Sequence, residues 1–309
     1  MKFVSFLAAN GERRTGALLN DRSVVDVSAI LRAMQPDVYA LNALSERGIE
    51  LATGGLMRWL QSGAAAREQA IAAVQDLVDS PGPAHHALDA LTPLPPVARP
   101  GKIVGVGRNY ADHAKETGID PFEKPRIIFK VSSSIIASGA TVPKPALVSK
   151  MDFEGELAVV IGSFATRVTP EQALGCVAGY TLVNDLSARE FQFDITPPQT
   201  TFAKSMDGFC PIGPTMVTSD EITDPQTLRL RTHVNGALVQ DATTADMLFP
   251  VATLISYVSQ YMTLEPGDIL ATGTPAGIGA FRKPPLWLTP GDLIEVSIDE
   301  IGTLVTIVG

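Results

Sequence analysis

Two cysteines in 309 residues, Cys176 and Cys210, leave little room for cysteine chemistry. Neither sits in a Cys-x-x-Cys pair, which argues against a zinc ribbon or a disulfide framework; two buried thiols in a reducing compartment are expected. Basic residues are the minority, 24 Lys and Arg against 33 Asp and Glu, for a net charge of −9. A broad basic face for nucleic acid or an anionic membrane surface is therefore not expected, although a local basic pocket is still allowed. No window approaches the ~18 apolar residues of a membrane-spanning helix. The opening "MKFVSFLAANGERR" turns at Asn10-Gly11 before an apolar signal region could form. A cytoplasmic location is expected. Nucleotide loops are missing too: "GVGRNYADH" lacks the Gly-Lys-Ser/Thr of a phosphate loop, and "GDILATGTPAGIG" is not followed by a helix pattern with an acidic ribose-binding residue.

What is present is a large apolar fraction, 45%, with only 18% charged residues. That composition belongs to a well-packed globular chain, and the length suggests about two domains. Residues 1–28 read as a small meander of β runs broken at Asn10-Gly11 and Asn20-Asp21. Within 36–79, "GLMRWLQ" and "REQAIAAVQDLV" have helical spacing. The stretch 80–102 carries six prolines and reads as extended linker, placing a boundary near residue 95, with domains 1–95 and 96–309. Short β runs then dominate, among them "KIVGVG", "RIIFKV", "ELAVVIG", "YTLVND", "LRLRTHVNG", "DILATG", "LIEVSID" and "GTLVTIV". Two helices interrupt them. "TPEQALGCVAG" has Thr169 as N-cap, Pro170 at the first helical position and Gln172 closing a capping box. "FPVATLISYVSQYM" places Leu254, Val258 and Tyr261 on one face. Pro-Gly-Asp at 266–268 and 290–292 is type II turn chemistry, each turn launching a strand. Long helices do not alternate with strands, so a Rossmann or TIM architecture is disfavoured and an α+β, mainly β fold is expected.

The chemistry-bearing residues start in "DFEGELAVVIG". Glu154 and Glu156 stand two apart at the head of an apolar strand, where i and i+2 point to the same side. Burying two carboxylates together costs several kcal/mol unless positive charge is near. Asp185, ending "TLVND", makes a third. Three carboxylates at strand ends suit a hard divalent cation, Mg²⁺ or Mn²⁺; solvent-exposed strand starts and a turn aspartate are the alternative. In "GRNYADHAKETG", His113 and Glu116 are neighbours on a helical turn. The pair suits a general base acting on water, or is an ordinary surface pair. Arg189 and Gln192 in "NDLSAREFQ" could hold a carboxylate, although Arg189 could equally bridge to Asp185. Lys204 could meet an anionic substrate or snorkel at the surface. Thr272 and Thr274, with the amides of Gly273 and Thr274, could form a carboxylate nest or a tight connection. His85, His86 and His233 read as linker and strand residues.

Together and in this order, "GRNYADHAKETG", "DFEGELAVVIG", "LVNDLSARE", "FAKSMDGFCPIGP", "VNG" and "LEPGDILATGTPAGIG" resemble the fumarylacetoacetate hydrolase family over roughly residues 100–309. The resemblance implies a mixed β-sandwich roll with a small N-terminal α+β domain, and a homodimer. It implies metal ligands Glu154, Glu156 and Asp185 for Mg²⁺ or Mn²⁺, a water-activating pair His113 and Glu116, and Lys204 lining the metal and substrate site. Arg189, Gln192, Gly273 and Thr274 fall at substrate-binding positions. The implied reaction is hydrolysis of a carbon–carbon bond in a β-diketo acid of the acylpyruvate or fumarylpyruvate type, as in aromatic catabolism, to a carboxylic acid and a 2-oxo acid. Oxaloacetate decarboxylation or hydroxydienoate isomerisation at the same site is the alternative. "FQFDITPPQTT" lacks the patterns of sugar-acid members, and 117–127 is a candidate lid.

Overall fold

A computed structural model describes residues 1–20, 22–80, 85–118 and 122–309. The Asn20-Asp21 turn and the candidate lid fall partly on residues outside that set. Among the described residues the chain builds a 12-stranded sheet, a five-stranded sheet and a two-stranded ribbon. The architecture is mixed α/β with strands in the majority, as expected.

Strand Gly155–Ile161 lies deep in the larger sheet, with every residue buried. It runs antiparallel to Val177–Asn184 on one side and to Ile269–Ala271 on the other. Its alternation splits the side chains between two cores. Leu157, Val159 and Ile161 face a cluster shared with Leu230, Val234, Ile294, Val296 and Leu304 of the five-stranded sheet. Ala158 and Val160 face a second cluster shared with Leu31, Leu56, Trp59, Leu60, Ala70 and Val74. The N-terminal helices thus cover one face of the large sheet and the five-stranded sheet covers the other. Helix Ala64–Asp79 reaches that core through Ala66, Arg67, Ala70 and Val74, a stripe at helical spacing. Burying Leu157, Val159, Val160 and Ile161 contributes about 6 to 12 kcal/mol at about 1.5–3 each. That exceeds the several kcal/mol cost of placing Glu156 at the same strand's mouth.

The N-terminal strands join the same sheet: Lys2–Leu7 pairs with Cys210–Thr218, with Phe3 opposite Met216. The proline-rich stretch is not free linker where it is described. His85–Ala87 pairs with Ser23–Asp26, and Thr92–Leu94 pairs with Lys2–Leu7. Thr169 and Gln172 form the expected capping box. Gly267 and Gly291 take φ +91° and +94°, as type II turns require. One expectation fails: helix Val251–Ser259 buries Leu254 and Val258, but Tyr261 lies beyond its end and is 72% exposed. The turn at Gln260 carries Tyr261 off the buried face, where it stacks edge-on against Tyr257 instead. Both cysteines are buried thiols. Among the described residues no helix is long and apolar enough to cross a membrane.

Candidate active site

The ends of neighbouring strands bring the acidic residues together. Gly155 is paired with Asn184, so the residues flanking that pair, Glu154 and Asp185, are juxtaposed, and the Asp185 amide donates to the Glu154 carbonyl at 2.8 Å. Ligand oxygens of Glu154, Glu156 and Asp185 all lie within 4.8 Å of one another, and all three side chains are buried. The exposed-strand alternative is therefore excluded.

Two of the three have cations at hand. Lys204 Nζ donates to Glu154 Oε2 at 2.7 Å, to Asp185 Oδ2 at 2.6 Å and to Ser187 Oγ at 2.8 Å. Lys204 is buried, not snorkelling. Arg189 does not bridge to Asp185. Its Nε donates to Asp152 at 2.8 Å, its Nη2 to Glu154 Oε1 at 2.6 Å and its Nη1 to Gln192 at 2.8 Å. Burial opposes ionisation of Glu154, but Lys204 and then Arg189 outweigh it and hold its carboxyl well below the usual range. Glu156 goes the other way. Its carboxylate accepts from the Gly273 amide at 2.8 Å, and it has no ion-pair partner among the described residues. Burial, then Asp185, then Glu154 raise its pKa well above the ordinary value.

Glycine at 273 follows from that contact. Its φ is +99°, and a Cβ there would stand 2.8 Å from Asn109 Cβ and 2.9 Å from the Val106 carbonyl. The amide that sequence reasoning offered to a substrate carboxylate is aimed at Glu156. Thr272 Oγ1 donates to the Leu157 carbonyl and Thr274 Oγ1 to the Gly155 carbonyl, tying this turn to the acidic strand.

His113 and Glu116 lie on helix Ala111–Thr117, which ends at Gly118 in the left-handed region. His113 Nδ1 is 3.1 Å from Glu116 Oε2, and Glu116 Oε1 accepts from the Gly277 amide at 3.0 Å. His113 is only 5% exposed, so it is no ordinary surface histidine. His113, Glu154 and Glu156 line one cavity of ≈ 210 Å³ together with Arg189, Gln192, Lys204 and Thr274, while Glu116 and Asp185 stand behind that lining, against His113 and Lys204.

Two buried charges escaped sequence reasoning. Lys130, ending strand Arg126–Lys130, donates to Asp185 Oδ1 at 2.6 Å and also reaches the Lys204 carbonyl. Asp152 accepts from Arg189 and from the amides of Gly279 at 2.7 Å and Ala280 at 3.1 Å. Lys130 in "RIIFKV" reads as the polar edge of a strand, and only the pairing reveals its partner. Asp152 carried a weak signal, a third acidic residue two positions before Glu154.

The donor set fits a divalent metal: three converging, buried carboxylates, one of them without a cation beside it, and no soft ligand.

The model of the fumarylacetoacetate (FAA) hydrolase C-terminal domain matches residues 102–309. Human mitochondrial oxaloacetate tautomerase FAHD2A is 42% identical over 215 residues, 70% of this chain and 68% of that protein. Among solved structures, a fumarylacetoacetate hydrolase from Exiguobacterium antarcticum aligns with TM-score 0.77 and 36% identity, covering 100% of this chain and 99% of that one. Maleylpyruvate hydrolase from Sphingobium sp., in complex with manganese(II) and pyruvate, aligns with TM-score 0.73 and 28% identity, covering 100% and 98%.

Proposed function

The chain belongs to the fumarylacetoacetate hydrolase family, and from that premise we propose that it interconverts the enol and keto forms of a 2-oxo acid of the oxaloacetate class. The observation that carries the reading is that His113, backed by Glu116, lines the same cavity as Glu154 and Glu156 of the acidic cluster. Binding alone does not call for a base, whereas moving a proton between carbon and an enol oxygen does.

Glu116, held on its other side by the Gly277 amide, accepts the Nδ1 proton of His113. That fixes the tautomer and leaves the Nε2 lone pair as the base. His113 Nε2 takes a proton from the carbon beside the keto group and gives it to the enolate oxygen, or carries it in the reverse direction. Arg189 and Gln192 keep N–H donors for the anionic substrate on the cavity wall, while Lys204, its three protons given to Glu154, Asp185 and Ser187, holds the acidic cluster in place. Glu154, Glu156 and Asp185 would hold Mg²⁺ or Mn²⁺, which when bound supplies positive charge to the 2-oxo group and acidifies the adjacent carbon.

A second reading, hydrolysis of an acylpyruvate, draws on the same dyad: His113 Nε2 could take its proton from water instead of carbon. The maleylpyruvate hydrolase neighbour supports it. Purified protein offered enol-oxaloacetate, acetylpyruvate and fumarylpyruvate, each with chelator and with Mg²⁺ or Mn²⁺, separates the two. Metal-dependent loss of the enol absorbance without cleavage supports the tautomerase. Acylpyruvate cleavage moves the assignment to the hydrolase, and CO₂ release from oxaloacetate moves it to a decarboxylase. Under either main reading His113→Asn lowers kcat about 10²–10⁴-fold, and full activity of Glu154→Ala sinks the metal role.

A further inference from the structure

The cavity lined by His113, Glu154 and Glu156 is also lined by two arginines that the proposed chemistry does not use, Arg108 and Arg126. They come together by strand register. Gly107 ends strand Ile103–Gly107 and is the register partner of Arg126, which opens strand Arg126–Lys130, so Arg108 is the next residue past that pair. The other cations of the lining are neutralised: Arg189 by Asp152 and Glu154, Lys204 by Glu154 and Asp185. Neither Arg108 nor Arg126 has an ion-pair or side-chain hydrogen-bond partner among the described residues. The guanidinium of Arg108 instead lies over the ring of Phe122, 5.5 Å from its centroid. Its backbone takes φ +57°, a conformation uncommon for a residue with a side chain. Burial, and then the charge of Arg126, depress its pKa, the mark of two like charges sharing a site without a counterion.

We propose that Arg108 and Arg126 form a subsite for a second carboxylate, so that the substrate is a 2-oxo dicarboxylic acid held at one end by the metal cluster and at the other by this pair. The inference rests on the 2-oxo acid reading above and names the residues that would recognise the distal carboxylate of its substrate. Two guanidinium groups on one carboxylate provide charge-assisted hydrogen bonds and relieve their mutual repulsion, and they discriminate against an acid that ends in a methyl group.

The test compares oxaloacetate with 2-oxobutyrate, which has the same chain length and a methyl in place of the distal carboxylate. Each is titrated calorimetrically into Mn²⁺-loaded protein. The native protein is expected to bind the dicarboxylate at least about tenfold more tightly, about 1.4 kcal/mol. In Arg126→Gln and in Arg108→Gln that ratio falls toward one. Arg126 is solvent-exposed, so its replacement leaves the core alone, and Arg126→Glu provides a second variant in which the preference reverses. Equal affinity for both ligands in the native protein, or a ratio unchanged in all three variants, overturns the subsite while leaving the 2-oxo acid reading intact. Binding of neither ligand overturns that reading and the subsite with it.

Discussion

Titrating Mn²⁺ into metal-free protein over a series of pH values tests the charge balance of the acidic cluster. Burial, Asp185 and Glu154 together keep Glu156 protonated well above the ordinary carboxylate range. Between about 4.3, the ordinary glutamate value, and its raised pKa, Glu156 therefore carries a proton that an incoming cation must displace. Across that window apparent affinity should rise about tenfold per pH unit, about 1.4 kcal/mol, with about one proton released per ion. Stability of the metal-free protein runs in the opposite direction. A carboxyl whose folded pKa is raised contributes stability below its unfolded pKa, and that contribution is lost as pH rises through the folded one. Metal-free protein should melt at lower temperature as pH climbs through the window. Protein kept at Mn²⁺ of about 100 times Kd gains about 2.7 kcal/mol and escapes the loss. Glu156→Gln keeps an acceptor for the Gly273 amide but has no proton to release, so it should bind more weakly and with a flat pH dependence. The same slope in Glu156→Gln as in the native protein, measured by calorimetry in two buffers of different ionisation enthalpy, would refute the assignment of the proton to Glu156.

Two further perturbations probe the scaffold of the site. Lys130→Met leaves Asp185 with Lys204 as its remaining cation. The expected cost is about 3 kcal/mol, the lower end for breaking a buried pair. In a melting scan this appears as a drop of about 6–12 °C, and an unchanged melt would show that Lys130 is dispensable. Gly273→Ala forces a Cβ against Asn109 and the Val106 carbonyl at positive φ. Urea unfolding should show a loss of about 2–4 kcal/mol, and native-like stability would mean that this turn relaxes freely.

How much of this could be seen in the sequence depended on whether the signal was local. The buried strand Gly155–Ile161, the capping box at Thr169 and the His113–Glu116 pair are each set by residues within four positions of one another, and all were legible. Strand Cys210–Thr218 was not, because Pro211, Gly213 and Pro214 erase the period-two pattern, although the strand pairs with three others. The extent of the large sheet was hidden for the same reason: Lys2–Leu7 joins its partner across more than two hundred residues, and no local periodicity records such a pairing. Within the site, the carboxylates were visible as a pattern but their counterions were not. Asp185 finds Lys130 at a separation of 55 residues, and Glu154 finds Arg189 at 35.

Those long-range partners explain why carboxylates can be buried here at all, and they set the cluster's sign. Four buried carboxylates, Asp152, Glu154, Glu156 and Asp185, face three buried cations, Lys130, Arg189 and Lys204. With all seven ionised, one negative charge is left over, on Glu156, the member without an ion-pair partner among the described residues. A divalent ion turns that surplus into one positive charge, which a single substrate carboxylate would neutralise. Asp152 is the member that can be altered without touching a candidate ligand. Asp152→Asn is nearly isosteric and retains an oxygen for the Phe153 and Gly279 amides. It removes the charge opposite Arg189 Nε and so takes one negative charge from the cluster. Mn²⁺ affinity should then fall about tenfold, about 1.4 kcal/mol, although Glu154, Glu156 and Asp185 are all in place. Unchanged affinity in a folded Asp152→Asn protein would mean that the three ligands alone determine metal binding and that the surrounding charge count does not.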